Sequence, residues 1–489
     1  MSLTVAYNVA RDALGYGALA SSVVSRNIAN ADDPNAARKS AIALTEANGT
    51  IRRTSIASEV DTALLERALD TTSGKSQLEA MASSLERLSA VIGDPATGSS
   101  PAAKMGELQN SLLLAANNPQ DTIAARQVIV AAGDVVASLH NAADAITQVR
   151  TEANADLADG AATLKQLLTD FQGVNSAIVA GTSQGTDITD QLDRRNGLLK
   201  EISELVDVRP VVRAGNDMTL YLGNGVTLFE TTPREIAFSS ASPLGWGQVG
   251  ATLRIDGVPI TSGSDLGGRL GGLLRIRDEV SLQFGQQVDE IARGLIAATA
   301  ETDQSAVPSL PAVAGLFTYL GGPAIPTSGV VLNGLAASIR VNPNVDPASG
   351  GDLTLLRDGG IGDPGNPDYV YNANGSVGFS DRLRALAASL SGPQSFDATA
   401  GLAVSQGGVL AYASSSAGWI ENERSKRSSE LESGKVLNDR AVGAWQNRVG
   451  INVDDEMAKL IALQQSYQAS SRLITAVNTM MDSLIRALG

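Results

Sequence analysis

Hydrophobic positions repeat with helical spacing at both ends of the chain. Over 453–488, Val453, Leu460, Leu463, Tyr467, Ile474, Val477, Met481, Leu484 and Leu488 form a heptad seam that only Glu456 and Ser470 interrupt. Over 2–29, Leu3, Tyr7, Ala10, Leu14, Val24 and Ile28 form a matching seam, with Gly17 and Ser21 completing its register. A second stripe, Ala6, Val9, Ala13, Tyr16, Ala20 and Val23, leaves that helix apolar over most of its girth. A helix so apolar needs cover on several sides, more than one partner helix can give. The pattern therefore predicts a terminal coiled coil completed by other copies of the chain, with both ends ordering fully only on assembly.

Between the ends the period stays helical for the first two hundred residues or so. The first helix should stop near Asn30, ahead of Pro34. A polar stretch to about Thr50 leads to a second helix, where Leu78, Met81, Leu85, Leu88 and Ile92 share a face and Gly93, Asp94 and Pro95 mark the stop. A short helix follows at 105–116. Asn118 then reads as an N-cap with Pro119 at the first helical position. The longest seam comes next: Ile129, Ala132, Val136, Leu139, Ala143, Ile146, Ala153, Leu157, Leu164, Leu167, Phe171, Val174 and Ile178, broken only by Arg150 and Gly160. About 60 residues of helix would span roughly 90 Å, the length of a rod. A further helix is expected at 189–205.

At Val206 the period changes to two. Val208, Val211, Leu220, Leu222, Val226 and Leu228 lie in short runs, and Asn224-Gly225 signals a hairpin turn with both central residues at positive φ. Helix returns at 270–302. Residues 303–375, rich in proline and glycine, read as an insertion of strands and loops. Helix resumes near 381 and continues through the charged segment 421–448 into the terminal helix. The fold class expected is mainly α with β insertions. It has a terminal coiled-coil domain (1–40 and 450–489), a helical-bundle rod (41–205, 270–302 and 376–449), an antiparallel β region (206–269) and an outer insertion (303–375).

Composition narrows the function. A net charge of −15 without a basic block argues against nucleic acid or an anionic membrane as partner. The chain has no cysteine and one histidine, His140, which removes most metal and nucleophilic sites and reads best as a helix-contact or solvated residue. No metalloprotease, phosphate-loop, nucleophile-elbow or dinucleotide motif occurs, and the one unassigned segment, 303–375, lacks both His and Cys. No catalytic residue, cofactor or metal is therefore expected. Asp187, Asp190 and Asp193 read as acidic residues favouring a helix start. Arg194, Arg195, Lys200, Glu201 and Glu204 read as a solvated, salt-bridged face, and Gly267, Gly268, Gly271 and Gly272 as a tight turn before a helix. The first ten residues carry no positive charge, unlike a secretory signal, and no apolar run reaches the ~20 residues of a membrane span.

The terminal segment Gly450-Ile451-Asn452-Val453-Asp454-Asp455-Glu456-Met457, with Leu460-Ile461 and Gln464-Gln465-Ser466-Tyr467-Gln468-Ala469, resembles the C-terminal signature of bacterial flagellar axial proteins. Asn27-Ile28-Ala29-Asn30 with Pro34 and Arg38 is similar to the N-terminal motif of that superfamily, although Asn35-Ala36 replaces the usual Gly-Tyr. Leu114 to Pro119, Ala125-Arg126-Gln127, 190–195 with Glu204-Leu205-Val206, 221–225 and 268–278 resemble the hook-associated protein 1 family, the hook–filament junction proteins.

The resemblance implies a structural subunit, not an enzyme. Such a subunit is exported unfolded by the flagellar type III apparatus without a cleaved signal, and resides outside the cell at the hook–filament junction. It implies as partners other copies of the chain, the hook protein, hook-associated protein 3 and an export chaperone. Assembly would use Leu3, Tyr7, Leu14, Val24, Ile28, Leu460, Leu463, Tyr467, Ile474, Val477, Met481, Leu484 and Leu488. The chaperone would take the part of that set from Leu460 to Leu488. The alternatives are a hook or distal-rod protein and, from another class, a cytoplasmic coiled-coil scaffold.

Overall fold

The computed structural model describes residues 3–46, 50–92, 98–239, 244–402 and 406–488. Helix α1 (Leu3–Ala29) leads into a two-stranded antiparallel hairpin, β1 (Lys39–Thr45) and β2 (Ile51–Ser58). Three helices follow: α2 (Thr62–Ile92), α3 (Pro101–Asn117) and α4 (Thr122–Gln184). The hairpin replaces the polar stretch expected there. Its inward residues are the small Ala41 and Ala43, which leave little hydrophobic alternation to read. The expected stop at Gly93–Asp94–Pro95 lies outside the described residues.

Helix α3 starts on Ser100, whose side chain accepts from Ala103 N, with Pro101 in the first turn. The start of α4 corrects the expectation for Asn118, which instead closes α3 by donating its N–H to Ala115 O. Asp121 is the N-cap, its carboxylate accepting from Ile123 N and Ala124 N. Every residue of the long α4 seam is buried. Its two interruptions are contacts as well. Arg150 donates to Arg277 O at 3.0 Å. Gly160 lies where a Cβ would come within 2.5 Å of Leu270. The 63 residues of α4 span about 95 Å and end at Gly185, whose left-handed φ of 68° stops the helix. By length and composition a part of α4 could cross a membrane, contrary to the reading that no stretch qualifies. Its buried face belongs to the protein core.

Helix α5 (Thr189–Leu205) leads to two small antiparallel sheets. The first holds β3 (Val208–Val212), β4 (Met218–Leu222) and β5 (Thr227–Phe229); the second holds β6 (Ile236–Ala237), β7 (Leu253–Ile255) and β8 (Val258–Ile260). At the Asn224-Gly225 turn only Gly225 has positive φ; Asn224 uses its side chain to accept from Val226 N.

Helix α6 (Gly268–Arg275) runs through a π segment (Ile276–Val280) into α7 (Ser281–Ala298), where one plain helix was expected. The glycines ahead of and within α6 are packing positions as well as a turn. A Cβ on Gly268 would sit 2.3 Å from the Leu205 carbonyl carbon, and one on Gly272 2.5 Å from Gln77 O of α2.

Segment 303–375 holds β9 (Phe317–Thr318), α8 (Leu335–Ser338), β10 (Arg340–Val341) and α9 (Thr354–Asp358), with β9 paired to β10. Its Leu316, Phe317, Leu335, Ile339 and Val345 join the main core. His140 Nε2 lies 2.8 Å from Ile339 O, so the lone histidine is a contact residue of α4.

The expected continuous helix after 381 is broken. Helix α10 (Asp381–Ser389) ends before Gly392-Pro393. A short ladder of β11 (Gln394–Ser395) and β12 (Gln406–Gly407) intervenes before α11 (Val409–Val449) and α12 (Val453–Leu488). Side chains of α7 hold this break: Gln287 donates to Ala400 O, and Glu290 accepts from Asp397 N.

Candidate assembly surface and its joint to the rod

The first and last helices pack against each other, antiparallel, with Asn27 beside Glu456 and Gly17 beside Tyr467. Of the residues predicted for assembly, Val24 and Val477 are buried in this pair. Leu3, Tyr7, Leu14, Ile28, Leu460, Leu463 and Ile474 are half-buried. Tyr467, Met481 and Leu484 are exposed, Leu484 by 53%. The side chain of Leu488 lies outside the described residues. Ala10, Gly17, Ala20 and Val23 are buried on α1, and a second, unforeseen set of apolar side chains is exposed on α12: Met457, Ile461, Leu473, Met480 and Ile485. Their signal was present as apolar residues adjacent to the seam.

At the base of the pair stands a polar cluster that sequence reading took for an interruption. Glu456 is 0% exposed and Asn27 1%. Asn27 Nδ2 donates to Glu456 Oε2 and to Lys39 O, both at 2.8 Å, and Asn27 Oδ1 accepts from Lys39 N. Lys459 pairs with the other Glu456 oxygen. Asn452 caps α12 by accepting from Asp454 N and Asp455 N. Three segments, the end of α1, the start of β1 and the first turn of α12, are thus tied by one amide side chain.

The acidic residues ahead of and within α5 stand at the helix start, as expected, and also complete the joint. Lys39 Nζ lies 3.0 Å from Asp193 and also pairs with Asp190. Arg26 pairs with Asp187 at 2.9 Å. Asp193 also accepts from Ala37 N, and burial pushes its carboxyl above the usual value, against the pull of Lys39. Burial acts upward on Asp187 too, but hydrogen bonds from Thr189 and Arg26 outweigh it and hold that carboxyl low.

The face read as solvated is partly buried as well. Arg195 donates to Asn175 and Asn216 O, and burial lowers its pKa to about 10, with Asp217 opposing. Lys200 lies 4.2 Å from the ring centre of the buried Trp445 of α11. Arg38 N donates to Val449 O, and Glu59, just after β2, pairs with both Arg38 and Arg448.

The charged groups of the joint are consumed in pairing, and among the described residues no group of three or more His, Cys, Asp or Glu is placed to hold a metal ion. The unpartnered feature is the apolar face of the terminal pair, which suits a macromolecular neighbour.

Known proteins share these parts. The family model for the flagellar hook-associated protein FlgK helical domain matches residues 85–308, from the end of α2 to just beyond α7. The model for the flagellar basal body rod FlgEFG protein C-terminal matches 446–487, which spans α12. Flagellar hook-associated protein 1 of Bacillus subtilis (strain 168) is 20% identical over 428 residues, 78% of this chain and 75% of that protein. The solved structure of the flagellar hook junction protein FlgK from Burkholderia pseudomallei aligns with a TM-score of 0.44 at 20% identity, over 52% of this chain and 46% of that one.

Proposed function

The chain belongs to the flagellar hook-associated protein FlgK family, and we propose that within the flagellum it joins the distal end of the hook to the filament. The family is one of structural flagellar proteins, not of enzymes, and its members are parts of an extracellular appendage. The observation that carries the junction reading is the uncovered apolar face of the terminal pair, set on a rod by a buried polar joint. Neighbouring copies of the chain cover that face. The hook protein lies on one side of the assembly and hook-associated protein 3 on the other.

Before assembly the chain passes unfolded through the flagellar type III apparatus. An export chaperone holds the stripe from Leu460 to Leu488, since a helix in a chaperone groove uses the same anchors as a helix in a bundle. A chain without cysteine suits that route, because no disulfide can form before or during passage. The terminal coiled coil, rod, β region and outer insertion keep the boundaries read from the sequence, with α12 and α1 innermost and 303–375 outward.

The test is a strain lacking the chain. Its hooks form, but filament subunits are shed into the medium, and the wild-type chain restores filaments. A chain carrying Leu3→Asp and Leu14→Asp, assembly positions outside the chaperone stripe, is still exported and restores none. Filaments on the deletion strain would overturn the junction role, and retention of the wild-type chain in export-competent cells would overturn the export route. The match of α12 to a rod-protein C-terminus favours a second reading, a hook or distal-rod subunit. That reading requires the deletion to remove the hook itself.

A further inference from the structure

The apolar seam of the terminal pair repeats by heptads from Leu460 onward, so its hydrophobic residues do not by themselves select one alignment. In the structure Asn27 faces Glu456, and a Cβ on Gly17 would lie 3.9 Å from the Tyr467 ring. Sliding α12 by one heptad moves it about 10 Å along α1. Asn27 would then face Leu463, Gly17 would face Ile474, and α12 would present an apolar seam broken only by Ser470. Leu484, 53% exposed in the native alignment, would move from the overhanging end of α12 to a place opposite Tyr7. Unwinding the first two turns of α12 supplies the chain needed for the slide. The hydrophobic face therefore does not exclude the slipped alignment, yet the native one is adopted.

What opposes the slide is the one polar pair of the seam closed to solvent. Slipping would set the Asn27 amide against a leucine, leaving one buried Nδ2–H without an acceptor, and would break the solvent-closed bond to Glu456. Both residues are fully committed where they stand: Asn27 to Lys39 and Glu456, Glu456 to Asn27 and Lys459. We infer that Asn27 and Glu456 are the register-selecting residues of the terminal helices, and that they also discriminate against pairing of α1 with the α12 of another copy in a shifted alignment. This inference concerns the chain alone and does not depend on its place in the appendage.

The absence of native cysteine gives a clean background for the test. Gly17→Cys with Tyr467→Cys reports the native alignment, and Gly17→Cys with Ile474→Cys reports the slipped one. Each pair is oxidised at low protein concentration, and the intramolecular crosslink is read on the monomer band. In the otherwise wild-type chain the first pair crosslinks and the second does not. Adding Asn27→Leu and Glu456→Leu raises the second crosslink at least ten-fold with helix content retained. Glu456→Gln keeps an oxygen for Asn27 Nδ2 and retains the wild-type pattern. Moving the carboxylate by one heptad, Glu456→Leu with Leu463→Glu, makes the slipped crosslink the dominant one. This last variant stays informative if the double leucine variant does not fold. Crosslinking of both pairs in the wild-type background, or a dominant native crosslink after the carboxylate is moved, would overturn the inference.

Discussion

Asn27 and Glu456 stand 429 positions apart in the chain and share a 2.8 Å hydrogen bond closed to solvent. Through Lys39, the same amide also holds the strand that leaves the first helix. The first and last helices are therefore fixed to each other and to the rod at this joint; beyond it α1 leans on the hairpin, where Tyr16 OH donates to Ala41 O and Asp12 accepts from Ile51 N, and α12 depends on a partly exposed seam.

That imbalance sets the order of opening in the monomer. Among the described side chains of α12 only Glu456 and Val477 are buried, whereas α4 buries a full face along its length. Native-state hydrogen exchange should show amides of α1 and α12 exchanging well before those of α4. Equal protection of all three would mean that the terminal pair is already as well covered as the rod.

Leu484 is exposed and therefore contributes little to the isolated chain. Leu484→Asp should change monomer stability by no more than about 0.5 kcal/mol, the usual range for surface substitutions. Denaturant melts of the purified chain check this. A loss of helical circular dichroism across the whole protein would show that the end of α12 supports the rod.

Asp289 supplies a pH dependence. It accepts from Gly334 N and Ala336 N, each at 2.8 Å, at the start of α8. Burial, with a smaller push from Glu290, raises its carboxyl from 3.8 to about 7. The folded state thus binds this proton more tightly than the unfolded state. The stability it adds is full below pH 3.8 and is lost as the pH rises through 7. Between pH 5 and pH 8 the wild-type chain should lose more stability than Asp289→Asn does. Parallel denaturation midpoints for the two chains over that window would remove the effect.

Gly272 admits α6 against α2. A Cβ there would come within 2.5 Å of Gln77 O, a backbone atom that cannot swing aside. Gly272→Ala should cost about 1–3 kcal/mol through forced separation of the two helices, read as a lower melting temperature. Gly106→Ala is the control, since a Cβ there meets nothing within 4 Å.

Much of the helical scaffold was legible because alanine and leucine recur at helical spacing over long spans. The seam of α4 is buried at every position named from the sequence, and the limits of α5 and α12 fall where the pattern changes. What escaped reading depended on partners distant in sequence. Glu456 looked like a flaw in a heptad until Asn27 stood opposite it. Asp187, Asp190 and Asp193 looked like helix-start residues, yet their partners Arg26 and Lys39 come from the other end of the joint. The hairpin at 39–58 was missed because Ala41 and Ala43 are too small to mark an inward face. The break after α10 carried a local signal in Gly392-Pro393, but the flanking helical periodicity overrode it.

The chain crosses the joint only twice, once between α1 and β1 and once through the short link between α11 and α12. A pull along the terminal pair reaches the rod through two covalent lines, the short 450–452 link and the longer 30–38 segment. Torsion meets no such line. It is resisted by Arg26 with Asp187 and by Arg38 and Arg448 with Glu59, partly exposed pairs whose strength falls with salt, and by the buried Lys39 with Asp193, which salt screens far less. Salt therefore loosens the outer pairs of the joint, while its buried centre of Asn27, Lys39 and Glu456 keeps its bonds.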